Sequence, residues 1–208
     1  MAVNGAMRVN REKLVRKFDK QSEIYEFRRK RLTEKEWRQK LIGSAAGRIL
    51  EVAVGAGANF PYYPAGVELT AADFSAGMLA KARAAAGEYG IRPTFIHAAV
   101  ESLDFAEDSF DTIVSTLSFC GYDDPVRVLE LFNRWCRPDG RILLMEHGIS
   151  SNRFAGYLQK GINPLFKRAV GCNLDRDIVG IVQSKLVIEK MEHHMIGAVH
   201  LIWAKPQL

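Results

Sequence analysis

Two glycines spaced G-x-G, Gly55 and Gly57, follow directly on the apolar run 49–54, and Asp73 closes a second apolar run 16 residues after Gly57. A buried parallel strand that opens on such a turn lets a ligand lie against backbone, because glycine tolerates conformations other residues avoid and carries no side chain. A carboxylate ending the next strand stands on the carboxyl edge of the sheet, where open α/β sheets bind ligands, and it can accept hydrogen bonds from both hydroxyls of a ribose. A dinucleotide loop reads G-x-G-x-x-G, and here Phe60 occupies the third glycine position, which makes a pyrophosphate site doubtful. The residues suggest an adenosine with no pyrophosphate attached.

The surrounding elements must bring those residues together. After residues 43–47 the pattern alternates strands with helices, the signature of a parallel sheet with crossovers. Strands are expected at 48–54, 67–73, 94–97, 109–117 and 141–146, with a helix at 75–89 capped by Ser75 and another at 125–137. A short helix at 174–183 and two strands at 185–193 and 196–204 add an antiparallel hairpin at the sheet edge. The expected fold is α/β: a Rossmann-like, doubly wound, seven-stranded sheet with an antiparallel C-terminal hairpin, preceded by N-terminal helices. Residues 8–41 recur at helical spacing and are expected to form one or two helices with a break near Ser22; residues 153–170 form a second basic, aromatic-bearing segment broken at Asn163-Pro164.

With 208 residues, 48% of them hydrophobic, the chain is of the size of one domain: a basic helical lid at 1–43, a cofactor-binding core at 44–150, and substrate-side helices with the hairpin at 151–208. The net charge of +5 is unevenly placed: the first forty residues carry 13 Lys and Arg against 6 Asp and Glu. A basic amphipathic segment of this kind suits a lid or an anionic lipid surface, and equally a solvated helix packing its apolar stripe on the domain. Nucleic acid is not expected as a partner, since no basic strand face with stacking aromatics is present. Cys120, Cys136 and Cys172 are widely spaced without a CxxC pair, so neither a disulfide framework nor a metal site is expected. A cytoplasmic monomer, at most peripheral to a membrane, is the expectation.

The chain resembles the class I S-adenosylmethionine-dependent methyltransferases over about residues 15–205. The resemblance rests on E-V-A-V-G-A-G at 51–57, A-D-F-S-A-G-M-L at 72–79, S-F-D-T-I-V-S-T at 109–116, D-D-P at 123–125 and R-P-D-G-R-I-L-L-M-E-H at 137–147, which occur in the family's order and spacing. Within that superfamily it is similar to the ubiquinone/menaquinone methyltransferase-like group, near phosphatidylethanolamine N-methyltransferases and methyltransferase-like thiol S-methyltransferases. S-T-L-S-F-C at 115–120 and G-C-N-L-D-R-D at 171–177 carry the likeness to the thiol enzymes, whose amino-terminal hydrophobic anchor is not expected here.

The resemblance implies S-adenosyl-L-methionine as cofactor, with Gly55 and Gly57 against its methionine portion and Glu51 near the amino group. Asp73 would bind the ribose, Phe74 and Met78 would flank the adenine, and Val100 and Glu101 would lie by its amine. Where relatives carry an acidic residue for that amine, this chain has Ala99. Thr116 and Leu117 would border the transferring methyl group, and Phe18 and Tyr25 match aromatics that close over the cofactor. Met78 and Tyr25 fit ordinary packing as well.

Transfer from a sulfonium asks chiefly for alignment and exclusion of water. A base is needed only where the acceptor arrives protonated; His147 is the best placed, with His194 or His200 behind it, and a structural role for His147 is an equal alternative. The acceptor is expected to be a small molecule or lipid: best a phosphatidylethanolamine-type amine, alternatively a lipophilic thiol or a quinone precursor methylated at carbon or oxygen. A nicotinamide-dependent oxidoreductase is disfavoured by Phe60, and a cofactor-binding protein without catalysis is kept open by Ala99.

Overall fold

The computed structural model describes residues 2–31, 33–170 and 173–207, and side chains for 12–31, 33–152, 154–165 and 173–207. Seven strands, β1 (Arg48–Val52), β2 (Glu68–Asp73), β3 (Thr94–His97), β4 (Phe110–Thr116), β5 (Cys136–His147), β6 (Leu186–His194) and β7 (Val199–Pro206), form one sheet. Across it they stand in the order β3-β2-β1-β4-β5-β7-β6. The first five pair in parallel, and β7 lies antiparallel between β5 and β6. The chain winds outward from β1 to β3 and then returns to β4, so the carboxyl ends of β1 and β4 flank the switch point where such sheets hold ligands.

Alternation along the strands divides the core in two. On one face Leu50, Val52, Ile113, Ile142 and Leu144 meet Val128, Leu129, Phe132 and Trp135 of α4 (Pro125–Trp135) and Ile178 and Val182 of α6 (Ile178–Gln183). On the other, Ile49, Val114, Leu143 and Met145 meet Leu41 and Ile42 of α2 (Lys35–Ile42) and Leu79, Ala82 and Ala85 of α3 (Ala76–Tyr89). Small alanines let α3 approach the sheet closely. Ser75 caps it by accepting from the Met78 N–H, and Gly90 ends it in the left-handed conformation.

Several boundaries differ from expectation. The amino-terminal region is two helices, but α1 (Ala2–Lys30) runs through Ser22, whose hydroxyl simply bonds back to the Asp19 carbonyl, and the break falls between Lys30 and Lys35. β1 stops at Val52 because Ala53 has φ +51, and β4 stops at Thr116 because Leu117 has φ +57; left-handed backbone cannot continue a ladder. Helix α4 ends at Trp135 and β5 begins directly at Cys136, where an irregular register against Phe110 absorbs the expected turn. Helix α5 (Arg153–Val170) passes through Pro164 unbroken, with the Asn163 side chain tied to Leu174 and Asp175. Leu32, Gly171 and Cys172 lie outside the described residues, as do the side chains of Arg153, Phe166, Lys167 and Arg168. Among the described residues no helix is long and apolar enough to cross a membrane.

Candidate active site

At the end of β1 the backbone turns left-handed three times, at Ala53, Gly55 and Gly57. The Gly55 N–H donates to Asp73 Oδ2 at 2.9 Å, and the Ser75 N–H donates to Asp73 Oδ1 at 2.9 Å, so one buried carboxylate ties the loop to the start of α3. Burial raises the Asp73 pKa above the ordinary carboxylate value, against the pull of those two bonds. The glycines serve different ends. A Cβ on Gly55 would find only the Tyr25 ring, 4.0 Å away, so this residue borders space roofed by α1. A Cβ on Gly57 would strike the Phe60 ring at 2.6 Å. Phe60, the residue in place of a third glycine, is thus packed into the floor of the loop.

Helix α1 forms the roof. Phe18 meets Phe74 edge-on with ring centroids 5.4 Å apart and stands 6.1 Å from Tyr25, while Met78 is fully buried. Asp19 holds the helix down: it accepts from the Ser75 hydroxyl and, at 3.0 Å, from the Gly77 N–H at the amino end of α3. Those bonds, the Ser75 one first, hold its pKa below the usual value. Farther along, buried Arg29 reaches Glu88 at 2.7 Å and the Tyr89 hydroxyl at 2.9 Å. Neither Asp19 nor Arg29 stands out in the sequence, because each has its partner in a distant helix.

Beneath the loop lies a buried polar network. Arg38 Nη1 donates to Asn59 Oδ1 at 2.6 Å, Asn59 Nδ2 donates to Glu51 Oε1 at 2.7 Å and to Thr116 Oγ1 at 3.1 Å, and the Tyr63 hydroxyl donates to Glu51 Oε2 at 2.8 Å. Burial pushes Glu51 up to about 7, opposed by the bonds from Tyr63 and Asn59 and by the Arg38 charge. Burial also lowers the Arg38 pKa, and its Nε has no hydrogen-bond partner. Arg38, Asn59 and Tyr63 were not singled out from the sequence. Arg38 carried a signal nonetheless: it falls on the apolar stripe with Leu41 and Ile42, where a cation needs a buried partner.

Across the sheet, Glu146 is fully buried at the end of β5 and accepts from the Ser115 hydroxyl at 3.0 Å and the Ser118 and Phe119 N–H groups at 2.9 and 3.0 Å. Burial raises it to about 7. The loop after β4 is also gripped from outside. Arg176 donates to the Tyr122 carbonyl at 2.7 Å and to the Phe119 carbonyl, and Asn173 donates to the Cys120 carbonyl. The described part of the 171–177 motif therefore clamps this loop.

The structure brings Gly55 against Asp73 and the Tyr25 ring, with Phe74 joined to Tyr25 through Phe18; Glu51 and Thr116 meet through Asn59, and Met78 is buried in α3. Thr116 is held by Asn59, and Leu117 follows it partly exposed. Val100 is buried in a single 3-10 turn and Glu101 is exposed beside it. His147 follows Leu143 and Met145 on the α2 face of β5, and its Nδ1 is buried without a partner. His200 is opposite Glu146 on the other face, buried, with its Nδ1 2.9 Å from that of His193, so it does not back His147. His194 instead stacks on Trp37.

Open space above Gly55, an aromatic roof and a buried carboxylate at the adjoining strand end fit an adenosyl group bearing a cationic amino-acid tail.

A family of methyltransferase domains matches residues 50–144. Phosphatidylethanolamine N-methyltransferase of Cereibacter sphaeroides is 34% identical over 128 residues, 60% of this chain and 63% of that protein. A thiol S-methyltransferase of Homo sapiens is 32% identical over 139 residues, 62% of this chain and 55% of that protein. The chain thus spans less than two thirds of each relative's length. Geranyl diphosphate C-methyltransferase from Streptomyces coelicolor A3(2), solved with S-adenosyl-L-homocysteine, superposes with a TM-score of 0.63 at 14% identity, covering 83% of this chain and 78% of that one. Residues 50–144 thus match a methyltransferase domain, and the fold is the one seen in that methyltransferase of known structure.

Proposed function

We propose that this chain methylates the amine of a phospholipid of the phosphatidylethanolamine type. When bound, S-adenosylmethionine supplies an electrophilic methyl group on a sulfonium centre. The amine reaches neutral pH as an ammonium, whose nitrogen has no lone pair until a proton leaves. The observation that carries the reading is His147, an imidazole at the carboxyl end of β5 with a buried nitrogen that has no partner. It takes the ammonium proton at Nδ1, while Tyr25 and Phe18 keep water off the site and Thr116 and Leu117 border the reacting carbon. Val100 and Glu101 flank the adenine, where Ala99 leaves its amine to backbone or to Glu101. The likeness to the bacterial phosphatidylethanolamine enzyme supports a lipid acceptor.

A second reading is S-methylation of a lipophilic thiol, favoured by the likeness to the human enzyme. A thiol of pKa near 8.5 ionises near neutrality with little help, so it needs no base. Release of S-adenosylhomocysteine, measured across phosphatidylethanolamine vesicles, alkyl thiols and quinone precursors, separates the two. The expected order puts the lipid amine first, and turnover of thiols alone replaces the first reading by the second. Asp73→Ala is expected to weaken S-adenosylhomocysteine binding by about 100-fold in calorimetry; unchanged binding would undo the assignment of the cofactor site.

A further inference from the structure

Helix α5 turns an apolar stripe outward. Phe154, Tyr157, Leu158, Ile162 and Leu165 recur at helical spacing and are 82, 68, 62, 44 and 75% exposed. Its inner side is held to the protein: Gly156 is buried, and Gln159 bonds the Ser150 N–H and the Gly148 carbonyl. Beside the start of α5 stands the tip of the β6–β7 hairpin. The Ser151 N–H donates to the Gly197 carbonyl at 3.1 Å, and a Cβ on Gly197 would collide with Ser151.

That tip has the wrong residues for its shape. Met195, Ile196 and Gly197 have φ of +50, +57 and +77 in succession. Such turns are made with least strain by Asn, Asp or Gly, and a β-branched residue there is an outlier. Yet Met195 and Ile196 are 66 and 75% exposed, so the fold gains little burial from them. Strain kept where packing does not require it points to binding.

The charge of this stretch of sequence points to the occupant. From residue 148 to residue 174 the sequence has four Lys or Arg and no Asp or Glu. A cleft of about 210 Å³ opens between the loop after β5 and α5, lined by Ile149, Ser150, Ser151, Gly156, Tyr157 and Lys160. We propose that α5 and the Met195–Ile196 tip dock this chain on an anionic lipid bilayer. The apolar side chains enter the headgroup boundary, and Lys160 with Ser151 receives a headgroup phosphate. A second copy is disfavoured, since a two-fold contact would set two stretches of basic sequence against each other. The face follows directly on the end of β5, so docking would turn the His147 edge toward the bilayer. The proposal stands on exposure, backbone and charge, and does not rest on which acceptor is methylated.

Co-sedimentation of the full chain with phosphatidylcholine vesicles containing phosphatidylglycerol, at low salt, tests it. Binding is expected to anionic vesicles, to fall with added salt, and to drop roughly tenfold for Phe154→Asp/Leu165→Asp. Ile196→Asn is the sharper variant, because Asn accepts positive φ. It should raise Tm and still weaken vesicle binding several-fold, a pairing that a purely structural role for the tip would not give. No binding by the unaltered chain, or binding untouched by these substitutions, overturns the proposal. A concentration-dependent dimer in sedimentation velocity, lost in the same variants, would assign the face to a second copy instead. Methyl transfer to detergent-dispersed phosphatidylethanolamine, followed in parallel, reports on the acceptor separately from docking.

Discussion

His147 and Glu146 are adjacent in sequence and opposite in environment, because successive strand residues face opposite sides of the sheet. His147 has a buried nitrogen with no partner, whereas Glu146 is saturated by hydroxyl and backbone donors. Their substitutions should therefore differ in kind. His147→Ala is expected to lower kcat on an amine acceptor by roughly 10²- to 10⁴-fold while leaving S-adenosylhomocysteine affinity unchanged in calorimetry; equal rates would return His147 to a structural role. Glu146 and Glu51, each raised to about 7 from 4.5, bear on stability with a defined sign. Between those values the folded chain holds protons that the unfolded chain releases. Their contribution is thus fully present below about 4.5 and is lost as pH rises through about 7, by up to about 1.4 kcal/mol per pH unit for each group. Urea unfolding from pH 5 to 8 should show a shallower decline for Glu146→Gln, and an unchanged slope would mean that Glu146 is ionised throughout.

At the scale of elements, α1 decides whether the space above Gly55 is enclosed. Its contact with α3 is held at one end by Asp19 on Ser75 and Gly77 and farther along by Arg29 on Glu88. Asp19→Ala removes an anion from a helix amino end and should loosen α1 by about 1 kcal/mol. Hydrogen exchange should then quicken in α1 while strand amides keep their protection, and S-adenosylhomocysteine should bind more weakly. Uniform protection in both would mean that Asp19 is not what holds the lid. The amphipathic pattern of residues 8–41 was legible in the sequence, but the break was misplaced at Ser22. A helix tolerates a serine that bonds back to its own preceding turn, and the chain actually turns where α1 has cleared α3. Pro164 misled in the same way, since one lost backbone bond did not outweigh the rest of α5.

For the whole molecule, β7 is inserted between β5 and β6, so the last strands complete the sheet that the first strands begin. Both cores draw on residues from each end of it. We therefore expect thermal unfolding in one transition, with calorimetric and van't Hoff enthalpies equal. Two resolved transitions would show that residues 151–208 fold apart from the rest. The charge asymmetry, concentrated in the first forty residues, pointed toward an interface from the sequence onward. Only the structure placed the exposed stripe of α5 beside the strained hairpin tip.

The order of strands and helices, the glycine loop, Asp73 at a strand end and the methyltransferase motifs were determined by the sequence itself, because each rests on local periodicity or fixed spacing. The partners were not. Asp19 with Ser75, Arg38 with Asn59, and Arg176 with Tyr122 in the loop after β4 join residues 56, 21 and 54 positions apart. The packing of Phe60 beneath Gly57 is short-range, but only the turn's left-handed backbone makes it possible. Local pattern encodes which element a residue sits in, whereas the meeting of buried polar groups depends on how elements close upon one another. Tertiary structure alone decided that.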